Sequence, residues 1–175
     1  MIRLLLIIAL GFGAVVSGTS ARAQVGGPDQ SDAARPNLVS TNPIAAIFEF
    51  YNAELEHSLA PTASIAIAGS HFGLGDSDYN NVDAIIRYYP SAQAIRGFAF
   101  GGSVGYSRVS EACSGCSSTS GFAIGVRGDY VWILGQDQRF TVAAGIGAKR
   151  LFYSSDGDRG STALPIGRLS VGYAW

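Results

Sequence analysis

The chain has 175 residues, with 12 Lys and Arg against 13 Asp and Glu. That near-neutral balance excludes the basic excess expected of a nucleic-acid binder. Charged residues make up only 14% of the chain, against about 25% in an ordinary soluble domain, while glycine is abundant at 23 residues. The length suits one domain, but one short of the side chains that normally cover a water-facing surface.

Arg3 is followed by an apolar run from Leu4 to Val16 and then by Ala21-Arg22-Ala23. A charged start, an apolar middle and an A-x-A pattern predict an exported protein whose signal peptide, residues 1–23, is cleaved between Ala23 and Gln24. A membrane-spanning helix would need about 20 apolar residues, and this run carries two glycines before turning polar at Ser17. Cleavage leaves 152 of the 175 residues; without Arg3 and Arg22, ten basic side chains face thirteen acidic ones, a net charge of −3. Residues 24–36, "QVGGPDQSDAARP", are polar and without periodicity and read as a flexible periplasmic leader.

From residue 37 to 175 the apolar pattern repeats every second residue, the mark of strands with two unlike faces. "FYNAELEH" sets Tyr51, Ala53 and Leu55 against Asn52, Glu54 and Glu56. From residue 62, Ala63, Ile65 and Ile67 oppose Ser64, Ala66, Ala68 and Ser70. From residue 80, Val82, Ala84, Ile86 and Tyr88 oppose Asp83, Ile85, Arg87 and Tyr89. Phe98, Phe100, Val104 and Tyr106 then oppose Ala99, Gly101, Ser103, Gly105 and Ser107. From residue 121, Phe122, Ile124, Val126, Tyr130, Trp132 and Leu134 oppose Ala123, Gly125, Arg127, Asp129, Val131 and Ile133. From residue 139, Phe140, Val142, Ala144, Ile146 and Ala148 oppose Thr141, Ala143, Gly145, Gly147 and Lys149.

Between these runs, "HSLAPT" (with His57), "PSAQAIRG" and "GQDQ" read as short turns. "GLGDSDYN", "EACSGCSSTS" and "SSDGDRGSTA" read as longer polar loops. Short turns at one end and longer loops at the other are the pattern of an outer-membrane barrel with its turns in the periplasm. An even strand number requires one more strand between Asn37 and Ile47, where Pro43 weakens the alternation. The predicted fold is all-β: an eight-stranded antiparallel up-and-down transmembrane β-barrel over residues 37–175.

The face holding Gly, Ala, Ser and a few charges suits the narrow interior of eight strands, whereas a wall facing water would need Lys and Glu. The Phe, Tyr, Trp, Ile and Val face suits lipid, with aromatics near the strand ends as in membrane girdles. A soluble secreted barrel binding a small apolar ligand is the minority alternative. With "RYYP", a short turn and "GFAFGGSVGY", together with "NPIAAIFEFYNAELEHSL" and the final aromatic, most of residues 37–175 resembles the family of small outer-membrane β-barrel proteins of unassigned function. That resemblance implies architecture and brings no catalytic residues.

Seven charges fall on the inward phase: Glu54, Asp83, Arg87, Arg127, Asp129, Lys149 and Arg168. In so narrow an interior they are expected to pair as a structural network rather than line a conducting pore, because an isolated buried charge is very costly. Cys113 and Cys116, in a predicted outer loop, are expected to form a small disulfide in an oxidising compartment. A thioredoxin-like setting for a redox role is absent, and zinc would want about four ligands. Asp76, Asp78, Asp156 and Asp158 offer acidic loops that could gather a divalent cation, and otherwise read as solvated.

A lipid-modifying hydrolase acting on lipopolysaccharide or phospholipid acyl chains is the alternative function. His71 lies near the outer rim, but Ser70 beside it points to the opposite face. The last segment, "LSVGYAW", puts Leu169, Val171, Tyr173 and Trp175 on one face, the pattern that outer-membrane proteins present to the barrel assembly machinery. The sequence therefore predicts a non-enzymatic outer-membrane barrel with a structural or surface-interaction role. Its expected partners are outer-membrane lipid, lipopolysaccharide and the assembly machinery, and no cofactor or resident metal is called for.

Overall fold

The computed structural model describes residues 35–74, 77–111, 119–155 and 158–175. The predicted signal peptide, nearly all of the predicted leader, Cys113, Cys116, Asp76 and Asp156 lie outside the described residues. Eight strands run in chain order: β1 (Asn37–Thr41), β2 (Phe50–Ala60), β3 (Ala63–Leu74), β4 (Ser77–Tyr88), β5 (Gly97–Glu111), β6 (Thr119–Leu134), β7 (Phe140–Ser155) and β8 (Asp158–Ala174). Each pairs antiparallel with the next, and β1 pairs with β8, so the sheet closes as a barrel.

Following partners around the wall gives the stagger. Val39 leads through Leu55, Ile67, Ala84, Val104, Ile124 and Arg150 to Ala163. Val39 also pairs directly with Tyr173, ten residues further along β8. A shear of ten over eight strands tilts them roughly 40° and leaves a narrow interior, wide enough to be filled by side chains or to hold one small ligand.

Three local differences from the sequence reading have physical causes. The first strand does not reach Ile47. It stops at Thr41, where Asn42 caps a one-turn helix, α1 (Pro43–Ala46), by accepting from the Ala45 N–H at 3.0 Å. Pro43 has no N–H to give a ladder but suits the first helical position. Two of the three expected long loops are instead largely strand. β3 and β4 pair up to Leu74 and Ser77, and β7 and β8 up to Ser155 and Asp158, since polar Gly-rich segments still have a backbone to pair. His57 lies within β2, not in the turn after it, and its Nδ1 is 2.8 Å from Asn37 Oδ1.

The barrel's lower end carries the connections at 61–62, 89–96 and 135–139. Leu38, Ile95 and Ala174 pack there as a small buried cluster. Ile95 takes φ 67°, unusual for a β-branched residue, and this conformation accompanies the complete burial of its side chain. At the junction of β1 and β8, Asn37 and Trp175 exchange backbone bonds of 3.1 and 3.0 Å.

Candidate functional site: the ionic lumen

All seven charges expected inside lie on inward phases, and the structure sorts them into two groups. The larger centres on Arg87, whose side chain is wholly buried. Its Nη2 donates to both Glu54 oxygens at 2.8 and 2.9 Å, its Nη1 to Glu56 at 2.6 Å, and its Nε to Asp129 at 3.2 Å. Arg127 donates to Glu54 at 2.9 Å and Arg168 to Glu54 at 2.6 Å. Both also face Asp129, with Arg127 Nε at 2.9 Å and Arg168 Nη1 at 3.6 Å, as ion pairs rather than aligned hydrogen bonds. Three guanidiniums thus meet three carboxylates, and the group is formally neutral.

Glu56 is the member missing from the sequence-derived set. It is fully buried, accepts from Tyr89 at 2.6 Å and Ser64 at 2.5 Å, and so ties the network to the lower end. A signal was present, since Glu56 shares the phase of Glu54 two residues before it. Tyr89 is fully buried beneath it, so the side chains of Tyr89, Leu38 and Ile95 form a floor under the charges.

The second group lies higher. Lys149 Nζ pairs with Asp83 at 2.7 Å and donates to Asn81 at 3.0 Å. Asn81 in turn donates to Asp83 at 2.7 Å and accepts from Ser107 at 2.8 Å. Tyr79 extends the chain at 3.1 Å from Ser107.

Glycines make room for these carboxylates. A Cβ on Gly145 would overlap Asp129 Oδ1, and one on Gly105 would overlap Asp83 Oδ1. Gly101 likewise admits the stems of Arg87 and Arg127 at 3.5 and 3.4 Å. The small inward residues are therefore the space that the long charged ones fill.

The outer face is the converse. Phe98, Phe100, Tyr106, Phe122, Tyr130 and Trp132 stand exposed there with Ile, Val and Leu between them, and Leu169, Val171 and Tyr173 of β8 continue the band to the exposed Trp175 just past it. Two depressions, of about 1120 and 750 Å³, lie along this face, where Gly102, Gly128 and Ala148 leave gaps between the larger side chains. Near the lower rim Arg139 donates to the Tyr173 hydroxyl at 2.7 Å, which holds that guanidinium's pKa above its usual value.

His71 also lies on the outer face, with Nδ1 2.9 Å from Asn80, while Ser70 takes the inward phase. The two are not brought together. Asp78 is exposed in β4, and among the described residues no cluster of His, Cys, Asp and Glu is arranged to hold a metal ion. No described helix is long and apolar enough to cross a membrane, which has no bearing on crossing by strands.

No family model matches the chain, and a comparison with curated proteins finds no match. Among solved structures it is similar to the N-terminal β-barrel domain of Pseudomonas aeruginosa OprF, at 13% identity and a TM-score of 0.49, covering 81% of this chain and 98% of that one. So distant a likeness adds nothing to what the strand register establishes.

Proposed function

We propose that the protein is an outer-membrane β-barrel with a structural or cell-surface interaction role and no enzymatic activity. The observation that carries this reading is the inversion of the wall: a closed sheet with ion pairs inside and a continuous apolar band outside. Soluble monomers rarely expose contiguous apolar patches beyond a few hundred Å², whereas a bilayer needs such a band about 25 Å tall. The floor and the neutral charge group below the Lys149 pair favour a packed interior over a conduit. Outer-membrane lipid and lipopolysaccharide are the partners that such a band would meet. Leu169, Val171, Tyr173 and Trp175 are the proposed signal to the assembly machinery.

The test is fractionation joined to a heat-modifiability gel. The protein should be recovered with outer membranes and migrate differently before and after boiling. Recovery in the soluble periplasm would overturn the reading and favour the secreted barrel. Acyl release from phospholipid or lipopolysaccharide that is lost in His71→Ala would instead establish the hydrolase.

A further inference from the structure

The barrel wall is incomplete on one side. β1 stops at Thr41, opposite Val171, while β8 continues to Asp158 with only β7 beside it. The reciprocal bonds of Asn37 with Trp175 set the phase, so odd-numbered residues of β8 turn their backbone groups toward β1 and Ala174 turns its N–H to Arg139. Above Val171, the backbone groups of Leu169, Gly167, Ala163 and Ser161 therefore point into a seam. Pro165, in the same phase, has no N–H with which any strand could close it. The chain that follows Thr41 is held by β2 instead. The Asn42 N–H donates to Asn52 Oδ1 at 2.8 Å, and Thr41 Oγ1 donates to the Asn52 carbonyl at 2.6 Å. Among the described residues no backbone bond joins 42–49 to the β8 edge.

We propose that this seam is a lateral portal through which an acyl chain of a phosphate-bearing lipid enters the upper lumen, with Arg150 holding the phosphate. The portal rests on the membrane reading above. Its height follows from register: Leu169 pairs with Ala144 and Ala163 with Arg150, a stretch of β7 inside the outward band that runs from Phe140 to Phe152. An open sheet edge at that depth leaves backbone groups unsatisfied in hydrocarbon, so an occupant with ester and phosphate oxygens suits it better than hydrocarbon alone.

Apolar side chains flank the seam on the inside. Leu164 and Ile166 share the inward phase of Arg168, with Leu164 still 39% exposed, and on the β2 side the tilted rings of Phe50 and Phe72 lie 5.9 Å apart. At the upper end of the seam the exposed Arg150 leans onto β8, its Nη2 2.9 Å from Ser161 Oγ and its guanidinium 5.3 Å from the Phe152 ring. No carboxylate among the described residues pairs with it. A guanidinium so placed matches phosphate in charge and shape.

The experiment uses the full protein in vesicles of phosphate-free digalactosyldiacylglycerol that contain a trace of phosphatidic acid with a diazirine on its acyl chain. A second arm uses diacylglycerol carrying the same diazirine. After illumination, labelled peptides are mapped. Outward Val126 and Ile146 should be labelled in both arms, and inward Leu164 and Ile166 should be labelled by phosphatidic acid. Arg150→Gln should lower the inward labelling about fivefold, the loss of roughly 1 kcal/mol from one exposed charge contact, and leave the outward labelling unchanged. Outward labelling without inward labelling would overturn the portal and leave the membrane reading intact. Absence of both would remove the membrane reading and the portal with it. Inward labelling by diacylglycerol equal to that by phosphatidic acid, or unmoved by Arg150→Gln, would overturn the phosphate contact.

Discussion

The two ionic groups in the lumen use the same residue types under different conditions. Around Arg87 three guanidiniums and three carboxylates are closed off by Tyr89, Leu38 and Ile95, and Glu56 and Asp129 are fully buried. Around Lys149 a single pair shares its load with Asn81, and Asp83 retains 16% side-chain exposure. Desolvation makes the first group interdependent: removing one member leaves buried charge that the remaining members must neutralise. In the second, water reaches the carboxylate that a deletion would strand. Equal-looking ion pairs therefore differ in what depends on them.

Arg87→Met should show the contrast at its largest. It strands the fully buried Glu56, which has no other cationic partner among the described residues, and leaves Glu54 and Asp129 to Arg127 and Arg168; a loss of about 3–5 kcal/mol is expected, read as a lower urea midpoint of vesicle-folded protein and a weakened heat-modifiable band. Gly145→Ala should come next, at about 1–3 kcal/mol, because the new methyl overlaps Asp129 Oδ1 and lies 2.7 Å from the Gly128 carbonyl oxygen. Lys149→Met should lose only about 1–2 kcal/mol in the same urea titration; if it unfolds the barrel as readily as Arg87→Met, the two groups are one network. Smallest of all, Gly167→Ala adds a methyl with nothing within 4 Å and should shift the midpoint by under about 0.5 kcal/mol. A larger shift there would mean that the outer face at Gly167 is tightly covered.

Much of this was legible in the sequence because a strand's period of two is independent of its partners. Once the phase of Arg87 or Asp129 is set by flanking Ile, Tyr and Val, the side of the sheet follows. Pairing was not legible, since it depends on register between segments far apart in the chain. Glu54 meets Arg168 across 114 positions. Glu56 was missed as a network member although its phase was correctly read, because nothing local distinguishes a charge at the end of a strand from one inside the barrel. The short β1 was foreshadowed by Pro43, but the helix that replaces its upper half depends on Asn42 and Asn52, a pair joined only by the fold. The hairpins at Leu74 and Ser155 escaped notice because backbone pairing leaves no trace in side-chain polarity.

The floor made by Tyr89, Leu38 and Ile95 bears on how abundant such a protein can be. A barrel with buried side chains across one end and cancelling charges above them should give no steps in a planar-bilayer current recording. If the barrel sits in the outer membrane as proposed, a cell could make it in large numbers, as a coat or as an anchorage, without weakening that permeability barrier.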